Sequence, residues 1–463
     1  MGDNNESATN GLLSREESVQ PFGLKRALTA VANGSLVYAA VGASIGTFAL
    51  FGFALATSGP ASFWAWPVVA IPVFLIVLMF AELASHYPFA GSMYEWPRIL
   101  AGRRVGWWIG WLWLFAGLVV TAGTYFVVAL VAVPLFGLAD TTTNLLACAA
   151  VGLVVAGVLN ATGIAFLGRL SKIGVITELV IMLGFVTLVA VFGHGSIGNL
   201  VSTAGTAPTF GKWLPAVLAG GAFVPLFVLY LFENSGTLGE ETIDAQRNAP
   251  KAILGTFLFA VLVGGYFLFV FNWRIPSLHA ASASAYPPLY VIDAALPHWM
   301  AKVYLVLVGE IALLAGEVNV TTVSRQVFAM GRAGQLPFSG HLSKTSGNGT
   351  PWVAVLVVVV LSAIPFGFAK TIAVLGTGAT AAMYLTYIGV LGTMLYARLR
   401  YRWPAKKAPL TLGRWGLPLN VAALISAIAL FVNLVWFRPG TDPTGGFTSP
   451  WQSGLSGCRS SSG

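Results

Sequence analysis

Two short stretches, VGASIGT (residues 41–47) and LYLFENSG (residues 229–236), carry most of the information about the fold and the site that this sequence predicts. Each places glycine and polar side chains inside an apolar run that is otherwise long enough to cross a bilayer, which takes about 20 residues. An interrupted helix exposes backbone N–H and C=O groups that can bind a carboxylate and an ammonium group. Interruptions at corresponding positions of two halves of a chain indicate the binding site of a transporter. The alternative, a glycine notch for close helix packing, stays open at this point.

The composition requires lipid as the solvent for much of the surface. Of the 463 residues, 57% are hydrophobic and only 9% are charged, and the mean hydropathy is +0.80. A soluble protein carries roughly 25% charged residues. The formal net charge of +9 does not come from one basic face. We therefore expect a lipid bilayer as the environment and no nucleic-acid partner.

Eleven apolar segments are predicted to span this bilayer as helices, so the fold class is an all-α integral membrane protein. They lie at 29–57, 63–85, 106–134, 143–165, 173–193, 214–238, 252–272, 299–328, 352–368, 371–397 and 415–437. Polar segments at 1–28 and 438–463 flank them. The second is rich in Gly and Ser and is expected to be disordered.

The distribution of basic residues fixes the orientation. With the N-terminus inside, 19 of the 25 Lys and Arg residues fall in cytoplasmic segments and 6 fall on the other side. Such a bias sets the topology of a polytopic protein. We therefore predict a multi-pass protein of the cell membrane with a cytoplasmic N-terminus.

The patterns that suggest an enzyme have simpler explanations. Residues 42–46 fit the G-x-S-x-G pattern of a serine nucleophile, but the five histidines fall in loops or at helix ends, where none can act as its base. Residues 376–381 resemble a dinucleotide fingerprint but lie inside a spanning segment with no preceding strand. No metal-ligand spacing occurs. We predict neither an enzyme nor a bound cofactor or metal.

Acidic residues inside apolar segments carry more information, because a carboxylate at the bilayer centre costs several kcal/mol unless it faces a cavity or a partner. Glu178 lies in the fifth segment, Glu233 in the sixth, and Glu310 and Glu317 in the eighth. The last two are seven residues apart and share one helix face. Together they indicate a polar pathway that handles protons or cations, while a bracing role for any one of them stays open.

Four stretches of the chain resemble a known family. They are SGPASFWAW (58–66), AELASHYPFAGSMYEW (81–96), FENSGTLGEETIDAQRNAPKAI (232–253) and SRQVFAMGRAGQLPFSGHLSKTSGNGTP (324–351). In composition and order they resemble the amino acid–polyamine–organocation superfamily, in its amino acid/choline (GABA permease-like) branch. One departure is Leu231, which stands where the family usually has glycine. A twelfth helix is also missing.

The resemblance implies the leucine-transporter-type fold, with two inverted five-helix repeats at 29–193 and 214–397. A basic loop and a peripheral eleventh helix follow at 398–437. The substrate, an amino acid or a small amine, is then expected between the broken first and sixth helices. The residues implied for its site are Ser44, Ile45, Gly46, Tyr230, Leu231, Phe232, Glu233 and, on the eighth helix, Glu317.

Glu178 is the predicted coupling residue. In the family's fifth helix some proton-coupled members have a lysine at the corresponding place, where sodium-coupled relatives hold a sodium ion. Desolvation favours the neutral form of a carboxyl group at membrane depth, which allows proton uptake and release. A static Glu178 that hydrogen-bonds the backbone of the broken first helix is equally compatible. Glu82 and the pair Glu240/Glu241, at predicted cytoplasmic helix ends, are expected to be structural or gating residues.

These expectations favour a secondary transporter for amino acids or related small amines, working by alternating access and coupled to protons or to exchange. A carrier of organic cations such as polyamines or choline is the nearest alternative. A nutrient sensor that binds without moving its ligand is a more distant one.

Overall fold

The computed structural model describes residues 26–139, 141–160, 164–205, 210–284, 286–347, 349–367, 372–400, 403 and 408–436. Residues 1–25 of the predicted polar N-terminal segment, 1–28, lie outside this part of the chain. The predicted disordered tail, 438–463, lies outside it entirely.

The eleven apolar segments predicted from the sequence form helices, which we number as spans one to eleven. Within the described residues, nine are long and apolar enough to cross a membrane and two are shorter. In chain order they are Ala30–Ser58, Pro60–His86, Arg103–Leu135, Thr142–Asn160, Phe166–Phe192, the shorter Trp213–Val228, Ala245–Trp273, His298–Arg332, the shorter Trp352–Gly367, Leu375–Leu399 and Gly413–Val435.

The fifth span begins earlier than the predicted start at residue 173. Its helix runs from Ile164 to Leu179 and continues through a π-helical stretch, Val180–Val186, to Phe192. Arg169 and Lys172 lower the hydropathy of its first turns but do not interrupt the helix. π-Helical stretches inside α-helices are frequent at functional sites, and this one starts two residues after Glu178.

Four further α-helices of the described residues lie in segments that the sequence predicted as loops. They are Ser92–Ala101, between spans two and three, Leu278–Ala283 and Pro287–Ala295, between spans seven and eight, and Ser339–Leu342, between spans eight and nine. Met93 and Trp96 are fully buried, and the Trp96 indole N–H donates to the Tyr87 carbonyl at 2.7 Å. Burial of these apolar side chains stabilises a short helix that composition alone does not reveal.

The first span lies at the centre of the bundle, packed against spans five, seven and eight. The third span packs along both the eighth and the tenth, and the eleventh covers the second and tenth from outside. The segment before the first span pairs with the chain after the sixth: Leu28 and Thr242 form an isolated parallel bridge. Spans one and six are thereby tied together at one end of the bundle.

The first span breaks at Gly42. Its two halves are Ala30–Val41 and Ala43–Ser58, and Gly42 between them has φ 50° and ψ 64°, the left-handed conformation. Glycine adopts this conformation without the Cβ clash that other residues suffer. A Cβ at Gly42 would also collide with the Ile45 side chain. The left-handed backbone of a single residue, Gly42, therefore produces the break.

Replacing Gly42 by alanine should destabilise the protein by about 1–2 kcal/mol from the left-handed conformation alone, and more from the contact with Ile45. Thermal unfolding of the purified protein in detergent measures this. Gly255→Ala is the matched control, since Gly255 lies in the helical seventh span and a Cβ added there would meet no neighbouring element within 4 Å. A Gly42→Ala protein as stable as the control would contradict a structural requirement for the break.

Candidate functional site

The sixth span is interrupted as well, over a longer stretch, and its second part lies after Val228. Its helix Phe223–Val228 ends, and a second short helix, Asn234–Thr237, begins after an interruption of five residues. Between them Leu231 has φ 68°, a left-handed conformation that is uncommon for a non-glycine residue. Its N–H donates to the Tyr387 hydroxyl at 3.2 Å, and its carbonyl accepts from Asn234 N–H at 3.1 Å. These two bonds hold the strained residue in place.

The two breaks lie against each other. A Cβ on Gly46 would lie 2.7 Å from Cγ2 of Val228, so the absence of a side chain at residue 46 permits the close approach of the two spans. On the far side, the Asn33 side-chain amide donates to the Ser235 carbonyl at 3.2 Å and to the Thr242 hydroxyl at 2.8 Å. The broken spans are joined both directly and through the loop that follows the sixth.

A cavity of about 30 Å³ lies between the breaks. It has room for roughly two water molecules. Its described lining residues come from spans one, three, six and eight, and they are Ala40, Val41, Gly42, Ile45, Gly46, Val120, Thr124, Val127, Phe227, Tyr230, Leu231 and Ala315. Four of the eight residues expected at the substrate site, Ile45, Gly46, Tyr230 and Leu231, are therefore brought together here.

Ser44 lies in the first turn of the second half of the first span, where it contacts Glu178. Its N–H donates to Glu178 Oε1 at 2.9 Å and its hydroxyl donates to Oε2 at 2.5 Å. The Tyr38 hydroxyl adds a bond of 3.1 Å to Oε1. Glu178 thus accepts one of the N–H groups that the break leaves without a helical partner, and its negative charge suits a helix N-terminus.

Phe232 and Glu233 lie behind the cavity wall. Phe232 is buried in an aromatic cluster, with ring centroids 5.7 Å from Phe80 and 5.4 Å from Tyr387. The Glu233 carboxylate accepts from the Tyr387 hydroxyl at 2.5 Å and from the Trp113 indole N–H at 3.1 Å. Both residues support the break from behind and do not belong to the described lining of the cavity.

Glu317 is placed toward the fourth span. Asn160 Nδ2 donates to Glu317 Oε2 at 2.8 Å and to its backbone carbonyl at 3.2 Å. The Thr321 hydroxyl donates to Asn160 Oδ1 at 2.6 Å. Glu317 is not one of the described residues that line the cavity. The eighth span contributes Ala315 to the lining instead.

Sequence reasoning missed the contribution of the third span. Thr124 is the polar side chain that this span gives to the cavity, and it accepts a bond of 3.0 Å from Asn319 Nδ2. The stretch TAGT (121–124) offered a signal, since small and polar residues interrupt an apolar helix there. Trp113 and Tyr387, which hold Glu233, carry no such signal because aromatic residues are common throughout the apolar segments.

The acidic residues at one end of the bundle form ion pairs. The carboxylates and their partners are Glu82 with Arg398, Glu240 with Arg332 and Glu241 with Arg325. The Glu241–Arg325 pair, 3.1 Å between Oε1 and an Nη atom, is almost completely buried. Burial raises the pKa of the Glu241 carboxyl, while the charge of Arg325 lowers it. The structural or gating role of the three glutamates stays a prediction, and the ion pairs show which arginine each of them contacts.

Comparison with known proteins gives the fold and the family. The chain matches the solved structure of MhsT in complex with L-phenylalanine with a TM-score of 0.59 and 15% identity, over 86% of this chain and 98% of that one. It is 22% identical to the amino-acid permease BAT1 of Arabidopsis thaliana, over 88% of this chain and 85% of the relative.

Two bacterial relatives have different substrates in their names. The chain is 27% identical to the branched-chain amino acid permease BcaP of Bacillus subtilis, over 76% of this chain and 79% of the relative. It is 25% identical to the low-affinity putrescine importer PlaP of Escherichia coli, over 71% and 72% respectively. The model of the amino acid permease family matches residues 34–452. The chain is therefore a multi-pass membrane protein of the leucine-transporter-type fold and belongs to the amino acid permease family of secondary transporters.

Proposed function

We propose that this protein moves an amino acid or a related small amine by alternating access, with the substrate held between the broken first and sixth spans. The observation that carries the proposal is the cavity that both breaks line, at Gly42 and Leu231. The backbone groups freed at helix ends supply partners for a carboxylate and an ammonium group without any charged side chain. The names of BAT1 and BcaP, both amino acid permeases, agree with this site.

Proton coupling through Glu178 is the second part of the proposal. Glu178 bridges the fifth span to the backbone of the first at its break, so its charge and the geometry of the break depend on each other. Glu310, half-buried on the eighth span, lies close enough to repel its charge. Thr177 hydrogen-bonds Glu310, whose buried Oε2 has no hydrogen-bond partner among the described residues. Spans one, five and eight therefore meet at two carboxyl groups, one of which can carry the proton.

We propose that the protein lies in the cell membrane with its N-terminus in the cytoplasm. The support is the distribution of Lys and Arg residues, of which 19 fall on the cytoplasmic side and 6 on the other. The ion pairs of Glu240 and Glu241 then lie on the cytoplasmic side. Arg325 and Arg332 belong to the eighth span, whereas both glutamates follow the sixth. We propose that these pairs hold that side of the bundle closed and that they open when the substrate is released.

The organic-cation alternative is supported by the similarity to PlaP. An organic cation would need a counter-charge, and the two acids of the eighth span do not supply it in the cavity: Glu317 contacts Asn160 and Glu310 contacts Thr177. The geometry therefore favours the amino acid over the diamine.

Uptake into proteoliposomes tests the proposal. Labelled amino acids and labelled putrescine are offered with and without an inward pH gradient, and the lumen is analysed chemically. We expect accumulation of unchanged amino acid that increases with the gradient. A protein that binds these compounds without accumulating them would be a sensor, and chemically altered label would indicate an enzyme.

A further inference from the structure

We infer that the substrate is a small amino acid with a neutral, apolar side chain and that Leu231 sets the upper limit of its size. This inference rests on the proposed substrate site and narrows it. It combines three observations: the chemistry of the cavity wall, the engagement of the nearby carboxylates elsewhere, and the anchored left-handed backbone of Leu231.

The wall of the cavity lacks charge. Among its described residues the polar side chains are those of Thr124 and Tyr230, and none is a carboxylate or a cation. The Thr124 hydroxyl is already engaged, donating to the Val120 carbonyl at 2.9 Å and accepting from Asn319. A charged group on the substrate's side chain would lose its hydration here without gaining an ionic partner, which is strongly unfavourable.

The buried glutamates around the cavity do not supply that partner. Glu178 is bound by Ser44 and Tyr38, and Glu233 by Trp113 and Tyr387. Each carboxylate therefore already has at least two donors, and neither belongs to the described lining. A second ammonium group, as in lysine or a diamine, finds no counter-charge among the described residues of the cavity.

Leu231 forms a fixed part of the wall. It lines the cavity, is only 5% exposed, and has φ 68°. Its backbone is bound on both sides, by the Tyr387 hydroxyl and by Asn234 N–H, so the backbone cannot move away from the cavity without breaking these bonds. Glycine would adopt the same backbone conformation more easily, and it would leave open the volume that the leucine side chain fills.

The position of Leu231 in the wall limits the size of the side chain that the cavity accepts. Apolar pockets discriminate by about 10- to 200-fold for each methylene group that does not fit. Because the Leu231 side chain occupies part of the space between the two breaks, we expect side chains of alanine to valine size to bind and a phenyl ring to be rejected.

The test measures competition against labelled L-alanine uptake in proteoliposomes by L-valine, L-phenylalanine, L-lysine and putrescine. For the wild type we expect competition by valine, at least tenfold weaker competition by phenylalanine, and none by lysine or putrescine. In Leu231→Gly the preference for alanine over phenylalanine should fall by tenfold or more. Leu268→Ala is the control, because Leu268 is a buried leucine of the seventh span, which contributes no residue to the described lining, and it should keep the wild-type preference.

A second measurement separates this inference from the proposed transport. Ligands that bind the folded protein raise its unfolding temperature, so the same compounds are tested for stabilisation of the wild type and of Leu231→Gly in detergent. If the ligands stabilise the protein in the expected order but no uptake is measured, the substrate site is supported and the proposed transport is contradicted. Stabilisation by putrescine or phenylalanine equal to that by alanine, or an unchanged order in Leu231→Gly, would overturn the inference.

Discussion

Replacing Glu178 by glutamine should abolish net uptake driven by a pH gradient and preserve exchange of substrate across the membrane. Glutamine is nearly isosteric, and its carbonyl oxygen still accepts the Ser44 N–H that Glu178 accepts at 2.9 Å. It has no titratable proton. The broken first span therefore stays capped, while the group proposed to carry the proton is lost. Uptake with and without the gradient, and exchange into preloaded proteoliposomes, give the two rates.

Asp293→Asn is the control for this experiment. It also removes one carboxylate, but from an exposed residue paired with His298 in the segment before the eighth span. We expect the control to behave as wild type in both assays. Gradient-driven uptake that persists in Glu178→Gln would eliminate Glu178 as the proton carrier. Loss of both uptake and exchange would instead favour the static role, in which Glu178 only caps the break.

The bundle itself could be predicted because its determinants are local. Bilayer thickness requires a span of about 20 apolar residues, and that pattern is visible in any window of the sequence. The break at Gly42 is local in the same sense, since a single glycine provides the left-handed conformation. The break in the sixth span is different. Leu231 adopts its conformation against its intrinsic preference, held by Tyr387 of the tenth span, and a contact across 156 residues leaves no local pattern.

The arrangement of the site depends on such distant contacts throughout. Glu233 and Glu317 are as prominent in the sequence as Glu178, because each is an acid in an apolar run. Their roles diverge through partners that the sequence does not reveal, namely Trp113 for Glu233 and Asn160 for Glu317. The position of an acidic residue inside an apolar segment predicts that it contacts a partner or a cavity. The position does not predict which of the two it contacts.

Breaking the buried pair Arg325–Glu241 should strongly destabilise the protein. Both side chains are almost fully buried, and Glu241 Oε2 has no further hydrogen-bond partner among the described residues. Arg325→Met leaves the carboxylate buried without its counter-charge, which is expected to cost about 3–5 kcal/mol. Thermal unfolding in detergent measures the loss. The double variant Arg325→Met/Glu241→Leu should recover most of it, since replacing a whole buried pair by apolar side chains is often neutral.

The loss should also depend on pH, in a direction that follows from the pKa of Glu241. Burial already raises this pKa, and the charge of Arg325 opposes the rise; without the arginine the pKa of the folded state moves further up. The folded single variant then binds a proton that the unfolded chain has released, so its stability falls as pH increases above the ordinary glutamate range, around 4.3. We expect Arg325→Met to be destabilised less at pH 5 than at pH 8 relative to wild type, and the double variant to show no such trend. A loss independent of pH in the single variant would mean that packing around Arg325, and not the unpaired carboxylate, accounts for the effect.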